Sequence, residues 1–104
     1  MKLLVITAIK EFKKDILLML RKAEVKNFSF REVTGYRDST QDAVASNWFA
    51  SEMNESESIL FYAFVKKENV DMFFNLVEVF NAEQHNASRV HIAVLNIENS
   101  NDAA

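Results

Sequence analysis

The chain has 104 residues, 49% of them hydrophobic and 26% charged, the size and balance of one globular domain and not of a disordered segment. It has no cysteine, which excludes disulfides, thiolate zinc sites and cysteine nucleophiles. Its net charge of −3 argues against a nucleic-acid surface, because neutralised phosphates supply most of such a binder's affinity.

Lys2 to Ile9 is apolar and β-branched and reads as a first strand. Its apolar run from Leu3 ends at Lys10, far short of the ~20 residues that span a bilayer, so the expectation is a buried strand of a cytoplasmic protein without membrane insertion. The period then changes. Phe12, Ile16, Met19, Leu20 and Ala23 share one face of a helix that runs to about Ala23. Phe28 to Thr34 alternates as a second strand and stops at Gly35, the only glycine. That glycine reads as a strand terminator, or as a point where another group approaches closely.

Tyr36 to Glu57 has no sustained period, and loops of this length are uncommon in compact domains unless they function or flex. It carries Trp48 and Phe49, large apolar groups that a solvated loop does not need. Two readings stand side by side: a contact loop that orders against a partner, and a short helix over Gln41 to Phe49 packed on the protein itself. Ser58 to Val65 reads as a third strand. A second helix opens at Lys67 or Asn69, with Val70, Phe73, Phe74, Val77 and Phe80 as its apolar stripe. Asn81 to Ser88 turns the chain, Arg89 to Ile97 is a fourth strand, and 98–104 is a flexible tail after one domain over 1–97. The order β-α-β-β-α-β predicts an α+β, ferredoxin-like fold: four antiparallel strands with two helices on one face.

In that architecture the second sheet face meets water and should be polar. Strands 1, 3 and 4 are instead apolar on both sides, as in Leu3, Val5 and Thr7 against Leu4, Ile6 and Ala8, or Ile59, Phe61, Ala63 and Val65 against Leu60, Tyr62 and Phe64. Such a face exceeds the few hundred Å² of apolar patch that a monomer tolerates. Burial against further copies of the chain is the simplest expectation.

Val25, Phe28, Phe30 and Glu32-Val33-Thr34-Gly35-Tyr36 resemble the nitrogen-regulatory PII proteins, in which a Glu-Val-x-Gly-aromatic strand leads into a long T-loop. Asn47-Trp48-Phe49, the acidic stretch from Glu52 to Glu57 and Ile59-Leu60-Phe61 are similar to a segment of the related CutA-type proteins. The resemblance implies a homotrimer with ligand clefts between subunits. By position, Gly35, Tyr36 and Arg37 border a cleft from one subunit, and Asn81 to Arg89 from its neighbour, which makes Arg89 a ligand-binding candidate. It also implies a regulatory role, with a membrane transporter or another regulated protein as partner and Trp48 and Phe49 as loop anchors. The family's Gly-Asp-Gly-Lys phosphate turn is absent: Asn81 to Arg89 contains no glycine. The cofactor is therefore left unassigned, and neither ATP nor 2-oxoglutarate is carried over.

Catalysis finds little support. There is no pair of carboxylates at a working spacing, no phosphate-binding glycine motif and no nucleophile elbow, so the chain is not expected to be an enzyme. For a metal, His85 and His91 are weak candidates beside Met53 and the loop acids, and the plainer reading is an exposed turn histidine and a structural strand histidine. Tyr62-Ala63-Phe64-Val65 reproduces part of an RNA-recognition signature on strand 3. The first strand lacks the matching aromatic, and the expectation is that these side chains are buried packing.

Overall fold

The computed structural model describes residues 1–36 and 55–101, leaving aside the side chains of 55 and 56. Arg37, Trp48, Phe49, Met53 and most of the loop read from the sequence lie outside the described residues. Among those described, β1 (Lys2–Ile9) leads through a 3-10 turn (Lys10–Phe12) into α1 (Lys13–Lys22), and β2 (Ser29–Tyr36) follows. After the segment 37–54 come β3 (Glu55–Val65), α2 (Lys67–Ala82) and β4 (His91–Asn96). The sheet order is β2-β3-β1-β4, with every neighbouring pair antiparallel. This is the α+β, ferredoxin-like architecture that the element order predicts.

The two periods meet in one core. On β1 and β3 the alternate residues Leu4, Ile6, Ile59 and Phe61 are fully buried, facing Ile16 and Leu20 of α1 and Phe73 of α2. The 3-10 turn tightens the entry to α1 so that Phe12 drops inward, where its ring meets Phe80 edge-on at 5.0 Å.

α1 stops by a Schellman turn. The amide of Val25 donates to the carbonyl of Leu20 (2.9 Å) and that of Glu24 to Arg21 (3.0 Å), while Val25 and Leu20 are both buried. Glu24 holds φ at 61°, a left-handed position usually given to glycine. Its carbonyl accepts a hydrogen bond from Asn69 Nδ2 (3.3 Å), tying the end of α1 to the start of α2.

Several boundaries differ from the sequence reading. Gly35 does not terminate its strand: β2 continues to Tyr36, because β3 begins at Glu55 and keeps pairing with it. No glycine has a positive φ, and Gly35 lies buried within the ladder. β4 is shorter than read, since Arg89 is taken up by the preceding turn and Ile97 falls beyond the last paired residue.

The face away from the helices carries Leu3 and Val5 of β1, Leu60, Tyr62 and Phe64 of β3, and Ala93 and Leu95 of β4. In the single chain Tyr62 is 45%, Phe64 58% and Leu95 47% exposed. The expectation that Tyr62 and Phe64 are buried packing therefore fails within the single chain, because nothing from the helical layer reaches that side of β3.

Candidate ligand and partner site

The register brings the chemistry-bearing residues to one end of the sheet. Ile9 pairs with Ser58, Thr7 with His91, and Tyr36 with Glu55, so the ends of β1 and β2 lie beside the starts of β3 and β4. Gly35 sits in the ladder opposite Ser56, and Tyr36, 65% exposed, closes the strand at the point where the segment 37–54 begins.

The turn between α2 and β4 is built by side chains that stand in for missing backbone pairing. Asn81 Nδ2 donates to the carbonyl of Val90 (3.0 Å), and its Oδ1 accepts the amide of Val90 (2.8 Å). One asparagine thus satisfies both polar groups of a buried residue and fixes where β4 starts. Within the turn the amide of Ser88 donates to Asn86 Oδ1 (2.9 Å), and Gln84 Nε2 donates to the carbonyl of Phe80 (3.1 Å). Arg89 folds over this turn: its Nη1 donates to the carbonyls of Asn86 and Ser88, the latter at 2.8 Å. A glycine-free segment is thereby given a defined shape, with a guanidinium at its surface. Sequence reasoning put Asn81 in the turn at the cleft border and missed its bonds to Val90; the signal was an asparagine in the last turn of a helix, shortly before a strand.

His91 opens β4 on the open face, half-buried, and burial holds its pKa below the ordinary imidazole value. His85 is exposed in the turn. Among the described residues no group of three or more His, Cys, Asp or Glu is arranged to hold a metal ion.

The helix side of β2 is the charged flank of this end. Lys10 Nζ lies 3.0 Å from Glu32 Oε1. The hydrogen bond that Lys10 donates to Glu32 raises the Lys10 pKa most, followed by the carboxylate charges of Glu32, Glu57 and Glu11. One turn further along, Lys13 Nζ stands 4.6 Å from the centre of the Phe30 ring, which itself packs on Phe61.

This arrangement of sheet, helices and turn recurs in solved structures. The chain is similar to a DUF3240 family protein from Shewanella baltica OS155, with a TM-score of 0.65 at 17% identity over 99% of this chain and 96% of that one. It is also similar to CPII, a nitrogen regulatory PII-like protein from Thiomonas intermedia K12 whose structure holds ADP, AMP and bicarbonate (TM-score 0.61, 16% identity, 95% and 93% of the two chains). A third is a PII-like signalling protein from Thermus thermophilus (0.57, 16%, 92% and 85%).

The fold is PII-like.

No family model matches the sequence, and no curated protein matches it. In this PII-like fold the resemblance first carried by Glu32 to Tyr36 extends across β1 to β4. No helix among the described residues is long and apolar enough to cross a membrane.

Proposed function

We propose that this chain is a PII-like regulatory protein that works by binding and not by catalysis. In this reading three copies bury their open sheet faces against one another, and clefts form between them where Gly35, Tyr36 and Arg37 of one copy approach Arg89 of the next. A small ligand or a metal in that cleft biases the conformation of the segment 37–54, and that conformation docks on a partner such as a membrane transporter. Trp48 and Phe49 are its anchors, being of the residue types that dominate interfaces.

The observation that carries the reading is the half-exposed trio Tyr62, Phe64 and Leu95 on the open sheet face, beside Leu3, Val5 and Ala93. The shaped turn at 83–90, with Arg89 at its surface, supports a small anionic ligand. The nucleotides and bicarbonate held by the Thiomonas protein are the first compounds to try. The test is native mass spectrometry of the purified chain. A trimer that Phe64→Glu dissociates is the expected result, and a monomeric parent protein overturns the assembly. If Trp48→Ala with Phe49→Ala leaves partner capture unchanged, the segment is not the docking element.

The exposure of Tyr62 and Phe64 also favours a second reading, an RNA-recognition-like sheet on which bases stack. Salt-dependent retention of single-stranded RNA by a monomer, lost in Phe64→Ala, would select it over the first.

A further inference from the structure

The outer surface of the helical layer divides into two oppositely charged halves, each with an apolar centre. On α1, Lys14, Leu18 and Arg21 fall at i, i+4 and i+7, opposite the buried Ile16, Met19 and Leu20. On α2, Glu68, Met72, Asn75 and Val79 fall at i, i+4, i+7 and i+11, opposite the buried Val70, Phe73 and Val77. Leu18 is 50%, Met72 42% and Val79 60% exposed. Charge separates in the same way: α1 carries Lys13, Lys14, Arg21 and Lys22 against Asp15 alone, and α2 carries Glu68, Asp71 and Glu78 against Lys67 alone. Among the described residues the only ion pair is Lys10–Glu32, so none of these charges is paired within the layer.

The two helices are antiparallel neighbours. Phe12 at the start of α1 meets Phe80 near the end of α2, and Asn69 at the start of α2 bonds the carbonyl of Glu24 just beyond α1. Those two contacts fix which residues stand level across the layer. Leu18, midway between Phe12 and Glu24, is level with the stretch of α2 between Met72 and Val79. Lys14 is level with the end of α2 that carries Glu78, and Arg21 and Lys22 with the end that carries Glu68 and Asp71.

We propose that this surface docks on the same surface of a second copy of the chain. A two-fold axis in the plane of contact, parallel to the helices, lays α1 of each copy on α2 of the other without shifting either along its length. Leu18 then enters the gap between Met72 and Val79 of the other copy, which lie about 10 Å apart, two turns of helix. Lys14 meets Glu78, while Arg21 and Lys22 meet Glu68 and Asp71, and symmetry makes each contact twice. Other occupants fit less of the layer. An anionic membrane attracts α1 but repels the acidic α2 beside it, and an acidic helix held by α1 leaves Met72 and Val79 uncovered. The helical layer lies on the side of the sheet away from Tyr62 and Phe64, so this contact is independent of the trimer proposed above.

The test is sedimentation velocity of the Phe64→Glu chain, in which the open sheet face is blocked, over a concentration series at low and at high salt. Two short helices a side make a small contact, so a monomer–dimer equilibrium at roughly 0.1 mM is expected at low salt, and a weaker one at high salt. On this background Leu18→Glu should abolish the dimer. Lys14→Glu and Glu78→Lys should each weaken it about tenfold, since each sets like charges together at both symmetric contacts. Both positions are exposed, and an equimolar mixture of the two variants should recover the affinity, because every facing pair is again of opposite sign. A mixture no tighter than its components overturns the proposal, as does a chain that stays monomeric at millimolar concentration or a dimer that Leu18→Glu leaves unchanged. Capture by phosphatidylglycerol vesicles of a chain that does not self-associate assigns α1 to a membrane surface and equally overturns it. A parent chain that forms the salt-sensitive dimer but no trimer supports this contact and counts against the trimer alone.

Discussion

The two faces of the sheet are built from similar residues and have opposite fates. Toward the helices, Leu4, Ile6, Ile59 and Phe61 are fully buried, with Phe73 and Leu20 above them. On the other side, one residue along each strand, Tyr62, Phe64 and Leu95 stand about half exposed. A strand sends alternate side chains to opposite faces, so neighbouring apolar residues differ only in which layer covers them. What this teaches is that apolar character states a demand for burial, while tertiary structure decides whether the chain meets that demand by itself. Here it meets it on one face only.

The sharpest way to break the contrast is to truncate one aromatic on each side. Phe73→Ala should cost about 3–5 kcal/mol of unfolding free energy, through lost transfer energy and the cavity it leaves. Phe64→Ala, measured by urea unfolding at concentrations where the chain is monomeric, should cost under about 1 kcal/mol, since its half-exposed ring fills no cavity. Equal losses would mean that the open face is covered from within the chain.

Asn81→Ala tests the device that starts β4. It removes two hydrogen bonds and leaves both polar groups of buried Val90 unsatisfied, so a loss of about 1–3 kcal/mol is expected. Hydrogen exchange at Val90 and His91 should accelerate more than in β1. A smaller change with opposite sign is expected at the end of α1. Glu24→Gly relieves a left-handed residue without removing the Schellman hydrogen bonds, and thermal unfolding should show a gain of about 0.5–1 kcal/mol.

The smallest effect concerns His91 on the open face. Burial lowers its folded pKa below its unfolded value of about 6.5. Between those two values the unfolded chain binds more protons than the folded one, so stability falls as pH drops through that window and levels off below it. His91→Gln should remove this slope in urea unfolding measured from neutral to mildly acidic pH.

Much of the fold was legible because its signals are local. Phe12, Ile16, Met19, Leu20 and Ala23 repeat at the helical spacing, and all five are buried. Leu4, Ile6 and Ala8 alternate and are buried as well. The candidate site was less legible. Glu32 to Tyr36 pointed to a strand leading into a loop, but the bonds by which Arg89 Nη1 holds its own turn carry no sequence signal. The role of Asn81 in holding Val90 went unread because its partner lies nine residues on, across a turn whose shape no periodicity encodes. The match between the outer faces of α1 and α2 was invisible for the same reason: contacts far apart in sequence, Phe12 with Phe80 and Glu24 with Asn69, set the two helices side by side.

By itself, the amino-acid order determined the elements and their inward faces, since backbone periods of 2 and 3.6 residues act over a few neighbours and show in any window of ten. It also determined that both sides of β1, β3 and β4 require burial. Which side the helices take, where β2 and β3 stop pairing, and which residues of α1 stand level with which of α2 were decided only by the tertiary structure. Those outcomes depend on register and crossover between segments far apart in sequence, and no local preference specifies them.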